Sequence, residues 1–227
     1  MPRRAEHERY WLVWLLAWAL LAVACADDRV ASSAPVASRP EPETPVVLFV
    51  GTSLTAGYGL PAEEAYPALV QERIESAGLG YRAVNAGVSG DTSAGGLRRI
   101  DWLLRQPVAV LVLELGANDM LRGLDVDAMR RNLRGILDRT RAERPDARFV
   151  VAGMRAAPNL GAAYARRFEA VYAELAREYD AVLIPFLLEG IAGVPSFNQA
   201  DGIHPTAEGQ RRIAETVWSV LEPLLGS

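Results

Sequence analysis

The feature that most constrains the fold is an alternation of short apolar runs with longer amphipathic segments, which extends from Val46 to Leu225. Short runs rich in β-branched residues are typical of buried strands, and apolar residues at three- and four-residue spacing are typical of helices. The pattern predicts strands at 46–50, 81–85, 108–115, 148–154 and 181–184. It predicts helices at 64–77, 93–104, 125–144, 162–179 and 206–225. Ser93 is a candidate N-cap, and Pro205 is expected to open the last helix.

Strands that alternate with helices require crossover connections, and such connections join parallel strands. The sequence therefore predicts one α/β domain at residues 46–225, with a five-stranded parallel sheet covered by helices on both faces. Half of the 227 residues are hydrophobic, which is enough for one core of this size. Ligands of such sheets bind outside the carboxyl ends of the strands, so functional residues are expected at that edge.

Polar segments follow the first two predicted strands. Ser53 comes just after the first strand, where it is either an exposed nucleophile or a serine that caps a helix or turn. The second strand leads into a glycine-containing loop at 85–92, in which Gly90 is a candidate oxyanion donor. The same loop also fits a flexible connection before a helix. It lacks the Gly-x-Gly-x-x-Gly run that opens a phosphate-binding turn.

Two further segments are expected at the same edge. Asn118 follows the third strand, where its amide can stabilise developing negative charge or can simply occupy a left-handed turn. Asp201 and His204 stand three residues apart in a stretch that glycine and proline keep out of regular structure. This spacing lets the carboxylate meet Nδ1 while Nε2 points outward. The alternatives are a turn aspartate and a capping or packed histidine.

Each segment is ambiguous alone, but together they provide every group that acyl transfer requires. The set contains a hydroxyl nucleophile, an imidazole base, a carboxylate to orient the base and donors for an oxyanion.

The chain has no Lys, which excludes a Lys Schiff base, a Ser-Lys dyad and a Walker lysine. One Cys and two His argue against a metal site, and the net charge of −4 argues against a nucleic-acid partner. No cofactor is expected.

Several ordered blocks of the sequence resemble the SGNH, or GDSL, hydrolase superfamily. Within that superfamily, the blocks most resemble the bacterial thioesterase I/lysophospholipase/arylesterase branch. The resemblance spans the domain from Val46 to Leu225. The matching blocks are 51–59, 89–93, 115–119, 154–161 and 201–205.

The resemblance implies a three-layer αβα sandwich of the flavodoxin-like kind. It also implies Ser53 as the nucleophile, His204 as the base and Asp201 as its orienter. The oxyanion hole implied by the resemblance comprises Ser53, Gly90 and Asn118. The sequence departs from the family pattern at one position, because Thr52 stands where the family name expects an Asp. That Asp is not a member of the triad in the family.

The N-terminal residues have the layout of an export signal. Arg3, Arg4 and Arg9 precede an uncharged apolar run at 10–24, which is shorter than the roughly 20 residues of a membrane span. The run ends in a block that resembles a bacterial lipobox, so residues 1–25 are expected to be a signal peptide with Cys25 as the lipidation site. Ordinary cleavage after Ala26 and an uncleaved anchor are the alternatives. Residues 26–45, rich in Pro, Ala and Ser, form a linker.

The sequence therefore predicts a serine esterase that acts on small acyl or aryl esters, thioesters or lysophospholipids. It is expected as a lipoprotein of the outer membrane that faces the periplasm, or as a soluble periplasmic or secreted enzyme. The partners are then a small-molecule ester and the membrane, without an obligate protein partner. A carbohydrate O-acetyl esterase or acyltransferase would share the triad. The remaining alternative is a catalytically silent lipid-anchored binding protein, which only Thr52 favours.

Overall fold

The computed structural model describes residues 43–226. The predicted signal peptide, the lipidation site at Cys25 and most of the predicted linker lie outside the described residues. None of the helices within 43–226 has the length and apolarity needed to cross a bilayer.

Five parallel strands form a single sheet. Their bounds are β1 Val46–Gly51, β2 Arg82–Gly87, β3 Val108–Glu114, β4 Arg148–Ala152 and β5 Val182–Ile184. The spatial order is β2-β1-β3-β4-β5, and each neighbouring pair is parallel. This order is the flavodoxin-like one, which confirms the predicted α/β class. Every residue of β1 is buried, as expected for a central strand covered on both faces.

The helices cover the two faces of this sheet. Their bounds are α1 Ser53–Ala56, α2 Tyr66–Ser76, α3 Ser93–Leu103, α4 Ala117–Leu121, α5 Val126–Glu143, α6 Ala162–Glu178 and α7 Ala207–Leu225. Helix α2 packs against α7, whereas α3 packs against α5 and α5 against α6. The helices therefore form one layer on each face of the sheet, and the predicted three-layer αβα sandwich is confirmed.

The structure corrects the predicted N-cap of α3 and the predicted position of Pro205 at the start of α7. Thr92, not Ser93, is the N-cap of α3, because its side chain accepts a hydrogen bond from the N–H of Gly95 at 3.4 Å. Helix α7 begins after its N-cap Thr206, so Pro205 lies outside it. Pro205 instead forms an isolated bridge with Asn198, which closes the loop in front of α7.

Two short helices, α1 and α4, were not predicted. They have four and five residues, which is too short for a helical hydrophobic period to be recognised. Both directly follow central strands, α1 after β1 and α4 after β3. They carry Ser53 and Asn118, so the two candidate residues sit on short helices at the carboxyl edge of the sheet.

Candidate active site

The nucleophile candidate, Ser53, is the first residue of α1. Thr52 is the N-cap of this helix and accepts a hydrogen bond from the N–H of Leu54 at 3.4 Å. The structure thereby excludes the alternative in which Ser53 is the capping residue. Gly51 makes the turn possible, because a Cβ at this position would lie 1.9 Å from Oγ1 of Thr55. The chain can therefore turn sharply out of β1 and present the Ser53 hydroxyl at the sheet edge.

The histidine candidate faces this hydroxyl directly. Nε2 of His204 lies 3.0 Å from Oγ of Ser53, and Nδ1 lies 2.6 Å from Oδ2 of Asp201. The other carboxylate oxygen of Asp201 accepts the backbone N–H groups of Ile203 and His204, at 2.9 and 3.0 Å. These contacts fix the carboxylate on one side of the imidazole and the hydroxyl on the other. The predicted three-residue spacing therefore gives one compact loop that carries both side chains.

The same hydrogen bonds act on the ionisation of Asp201. The contact with the His204 ring, followed by the backbone N–H groups of His204 and Ile203, lowers the pKa of Asp201 from 3.8 to about 2. The carboxylate is therefore ionised at neutral pH. An ionised carboxylate at Nδ1 keeps the proton on that nitrogen, which leaves Nε2 as the acceptor that faces Ser53.

Gly90 and Asn118 line the same pocket as Ser53 and His204. Gly90 has a φ of 78°, a left-handed conformation that favours glycine. Nδ2 of Asn118 donates to the backbone carbonyl of Asp91 at 2.9 Å, which holds the amide beside the Gly90 loop. Asn118 lies within α4, and Asp180 is the one non-glycine residue with a positive φ in the described part of the chain. The left-handed alternative for Asn118 is therefore excluded.

An arginine holds the Gly90 loop against the sheet. Nε of Arg99 pairs with Oδ2 of Asp91 at 2.9 Å. Its terminal nitrogens donate to the carbonyl of Ala86, the penultimate residue of β2, at 2.6 Å and to that of Gly51, the last residue of β1, at 3.3 Å. One guanidinium thus joins the ends of two strands to the loop that follows the second. Planar guanidinium groups are suited to several directed bonds of this kind.

A buried glutamate lies beneath the nucleophile turn. Glu114 has no exposed surface, and its carboxylate accepts the N–H of Thr52 at 2.8 Å and the hydroxyl of Thr52 at 3.0 Å. It also accepts the hydroxyl of Thr55 at 2.8 Å. Burial raises the pKa of Glu114 from 4.5 to about 7, although the donors from Thr52 and Thr55 oppose this rise. Thr52, which stands where the family name expects an Asp, therefore donates hydrogen bonds to the buried carboxylate of Glu114.

An open pocket of about 720 Å³ extends away from the Ser53 hydroxyl. Its polar lining includes Ser53, Asn118 and His204, together with Ser89, Arg155 and Asn198. The remaining wall is largely apolar and includes Met120, Leu121, Met154, Pro158, Phe186 and Leu188. This arrangement suits a ligand with one reactive polar group and an apolar body.

The described residues contain no cluster of three or more His, Cys, Asp or Glu side chains that could hold a metal ion.

Residue types alone do not identify Glu114, which binds the nucleophile turn, or Tyr58 and Gln199, which contact the His204 ring and its loop. For Glu114 a signal existed, since it is the one charged residue in the apolar run of β3. A fully buried carboxylate needs partners, so such a residue marks a nearby polar site. Tyr58 and Gln199 have no comparable signal in the sequence.

Comparisons with known proteins show the family to which the chain belongs. The model of the GDSL-like lipase/acylhydrolase family matches residues 49–212. The chain is 43% identical to esterase TesA of Pseudomonas aeruginosa over 180 residues, which cover 79% of this chain and 89% of that protein. It is 40% identical to thioesterase 1/protease 1/lysophospholipase L1 of Escherichia coli K12 over 181 residues, which cover 79% of this chain and 84% of that protein.

Solved structures give the same result. The crystal structure of TesA superposes with a TM-score of 0.75 at 43% identity and covers 79% of this chain and 99% of that one. The esterase EstA from Pseudoalteromonas, inhibited by monoethylphosphonate, superposes with a TM-score of 0.75 at 31% identity. The match covers 82% of this chain and 100% of that one. The family model spans more than half of the chain, and each relative is covered over most of its length. The chain therefore belongs to the GDSL-like lipase/acylhydrolase family and is an enzyme of the ester-hydrolase class.

Proposed function

We propose that the chain is a serine esterase in which Ser53 is the nucleophile, His204 the general base and Asp201 the group that orients the base. The observation that carries this proposal is one continuous line of contacts. Oδ2 of Asp201 lies 2.6 Å from Nδ1 of His204, and Nε2 of the same ring lies 3.0 Å from Oγ of Ser53. A hydroxyl is a weak nucleophile unless a base removes its proton, and this geometry supplies that base.

In the first step, Oγ of Ser53 attacks the acyl carbonyl carbon while Nε2 of His204 takes the hydroxyl proton. Asp201 holds the tautomer that leaves Nε2 free, and it stabilises the imidazolium that forms. Its low pKa supports this role, because the carboxylate stays ionised at neutral pH.

The carbonyl oxygen becomes negatively charged as the tetrahedral intermediate forms. The backbone N–H groups of Ser53 and Gly90 and the side-chain amide of Asn118 are the proposed donors to it. One N–H of the Asn118 amide is used by the carbonyl of Asp91, and the second is available to the substrate. Donors held in place before the reaction stabilise the charge without reorganisation, and each contributes on the order of 10²–10³ in rate.

The intermediate then collapses with transfer of the proton from His204 to the leaving alcohol or thiol. The acyl group stays on Oγ of Ser53 as an ester. Water attacks this acyl-enzyme, again with His204 as base, and the carboxylic acid leaves as Ser53 recovers its proton. All of these steps are performed by groups of the chain itself.

The proposed substrates are small acyl and aryl esters, thioesters and lysophospholipids. The apolar wall of the pocket supports this choice, since it can take up an acyl chain or an aromatic ring. A carbohydrate would need polar partners along its whole length, whereas most of the pocket lining is apolar. The observations therefore favour an acyl or aryl ester over an acetylated sugar.

The N-terminal residues support a proposal about location. A basic start, an uncharged run at 10–24 and a lipobox-like end at Cys25 favour export and lipid attachment. Lipid attachment through Cys25 would keep the domain at the membrane, within reach of lysophospholipids. Replacing Cys25 with Ser and following radiolabelled palmitate tests this part. The label is expected on the wild-type protein alone, and equal labelling of the variant contradicts lipidation at Cys25.

An active-site probe tests the triad. A fluorophosphonate is expected to label the wild-type protein at Ser53 and to leave Ser53→Ala unlabelled. Ser53→Ala and His204→Ala should each lose hydrolysis of p-nitrophenyl butyrate while their circular dichroism spectra stay unchanged. Turnover by either folded variant at the wild-type rate contradicts the proposal. A p-nitrophenyl ester series run beside lysophosphatidylcholine then ranks the substrates.

A further inference from the structure

The contact between Ser53 and His204 joins two parts of the chain that differ in secondary structure. Ser53 stands on α1 directly after a fully buried strand, whereas His204 lies in a loop at 198–206 that has no helix or strand, only the isolated bridge between Asn198 and Pro205. The Asp201 side chain in this loop is 40% exposed. Such a loop needs further contacts to keep an imidazole at a fixed distance from a hydroxyl on another element.

Gln199 supplies these contacts from within the loop. Its Nε2 donates to the backbone carbonyl of Tyr58 at 2.7 Å and to that of Pro205 at 2.9 Å. Its backbone N–H donates to the carbonyl of His204 at 2.7 Å, and its own carbonyl accepts the N–H of Gly202 at 2.9 Å. The residue therefore binds both arms of the loop to each other and binds the loop to the segment after α1.

The link continues from Tyr58 to the nucleophile itself. The backbone N–H of Tyr58 donates to the carbonyl of Ser53 at 3.0 Å. A short line of hydrogen bonds thus runs from Ser53 through Tyr58 and Gln199 to the backbone of His204. Both hydrogens of the Gln199 amide are used, so no single-donor or acceptor-only side chain can replace it.

The side chain of Tyr58 completes the arrangement. Its ring centroid lies 4.4 Å from that of the His204 imidazole, with the planes inclined by 38°. The Tyr58 side chain is about half exposed, at 52%, so burial in the core does not explain its position. It lies against one face of the imidazole while Asp201 and Ser53 contact the two ring nitrogens.

We propose that Gln199 and Tyr58 are positioning residues for the reaction: Gln199 fixes the histidine loop to the nucleophile segment, and the Tyr58 ring holds the imidazole in line with the Ser53 hydroxyl. The inference rests on the proposed triad. Oγ of Ser53 and Nε2 of His204 bond to each other, and neither side chain takes the place of that contact. Both act on the distance between Nε2 and Oγ, and a displacement of about 1 Å in such a geometry can lower the rate on the order of 100-fold.

The test compares Gln199→Ala, Gln199→Glu and Gln199→Met with the matched control Gln106→Ala. Gln106 also uses its side chain in a hydrogen bond, from Arg82, but it precedes β3 at the opposite end of the sheet. The Gln199 variants are expected to lose at least about tenfold in kcat for p-nitrophenyl butyrate, with KM within about twofold. The rate of fluorophosphonate labelling should fall in parallel. Tm should change no more than in the control.

Tyr58 is tested by a pair of variants. Tyr58→Phe keeps the ring and the backbone carbonyl, and it is expected to retain most of kcat. Tyr58→Ala removes the ring and should lose kcat as the Gln199 variants do. Equal kcat in these two variants would show that the ring does not position the imidazole.

Two results overturn the proposal about Gln199. One is a wild-type kcat in all three Gln199 variants, and the other is a loss of kcat that appears only with a fall in Tm beyond that of Gln106→Ala. Ser53→Ala, assayed in the same series, separates this failure from failure of the triad. If Ser53→Ala is inactive while the Gln199 variants match wild type, only the positioning role is wrong.

Discussion

Oγ of Ser53 lies 3.0 Å from Nε2 of His204, although 151 residues separate them along the chain. The serine belongs to the first strand-to-helix turn of the domain and the histidine to the loop before the last helix. Their contact brings the start and the end of the domain together at one edge of the sheet.

Replacement of Asp201 by Asn tests the orienting carboxylate. The amide retains the size of the side chain but no longer stabilises the imidazolium, and it can favour the tautomer with the proton on Nε2. We expect kcat for p-nitrophenyl butyrate to fall by about 10²–10⁴, with the fold intact. Asp127→Asn, on an exposed ion pair with Arg167, is the matched control and should keep wild-type kcat. Similar values of kcat in the two variants would contradict the orienting role.

Replacement of Asn118 by Ala removes the proposed side-chain donor to the oxyanion. Because the donor acts on charge that develops in the transition state, kcat should fall on the order of 10²–10³ while KM changes little. Steady-state kinetics with p-nitrophenyl esters measure both constants. The variant also loses the bond to the carbonyl of Asp91, so Tm is recorded in parallel. A rise in KM at constant kcat would assign Asn118 to ground-state binding instead.

The buried carboxyl of Glu114 predicts a pH dependence of stability. Its pKa rises from 4.5 in the unfolded chain to about 7 in the folded protein, so between these values the folded state binds more protons than the unfolded state. The contribution of Glu114 to the free energy of unfolding is therefore largest below pH 4.5 and falls by about 3 kcal/mol as pH rises through 7. Asp201 changes stability in the opposite sense, but only as pH falls below 3.8.

Urea unfolding of the wild type and Glu114→Gln between pH 5 and pH 8 measures this effect. The variant cannot ionise at this position, so the difference in free energy of unfolding between the two proteins should change with pH. It should favour the wild type more strongly at pH 5 than at pH 8. A difference that stays constant across the range would show that the Glu114 carboxyl does not titrate there.

Substitution of Ala157 by Phe tests the assignment of the apolar pocket. Ala157 lies on the pocket wall, and a phenyl group there occupies part of the volume proposed for the acyl chain. We expect the ratio of kcat/KM for p-nitrophenyl octanoate to that for the acetate to fall about tenfold or more, because longer chains lose apolar burial. Ala173→Phe, on α6 outside this pocket, is the control. An unchanged ratio would place the acyl chain elsewhere.

The fold was largely predictable because its signals are local and repeated. The apolar run of β3 and the long amphipathic period of α5 each identify their element without reference to the rest of the chain. The starts of α3 and α7 were predicted to within one residue, but their N-caps Thr92 and Thr206 were not identified, because a neighbouring Ser or Pro offers an equally good local signal. The short helices α1 and α4 contain too few residues for a period. Their presence depends on the turns that end β1 and β3.

The sequence by itself determined the fold class and the residues with the right chemistry, Ser53, Gly90, Asn118, Asp201 and His204, since each follows an apolar run or stands in a loop. Only the tertiary structure decided the distances among them and the contacts of Glu114 and Gln199. The physical reason is that a carboxyl or an amide can bond to whatever group packing brings near it. Thr52 and Glu114 are 62 residues apart, and Gln199 and Tyr58 are 141 apart, so local sequence holds no record of either contact.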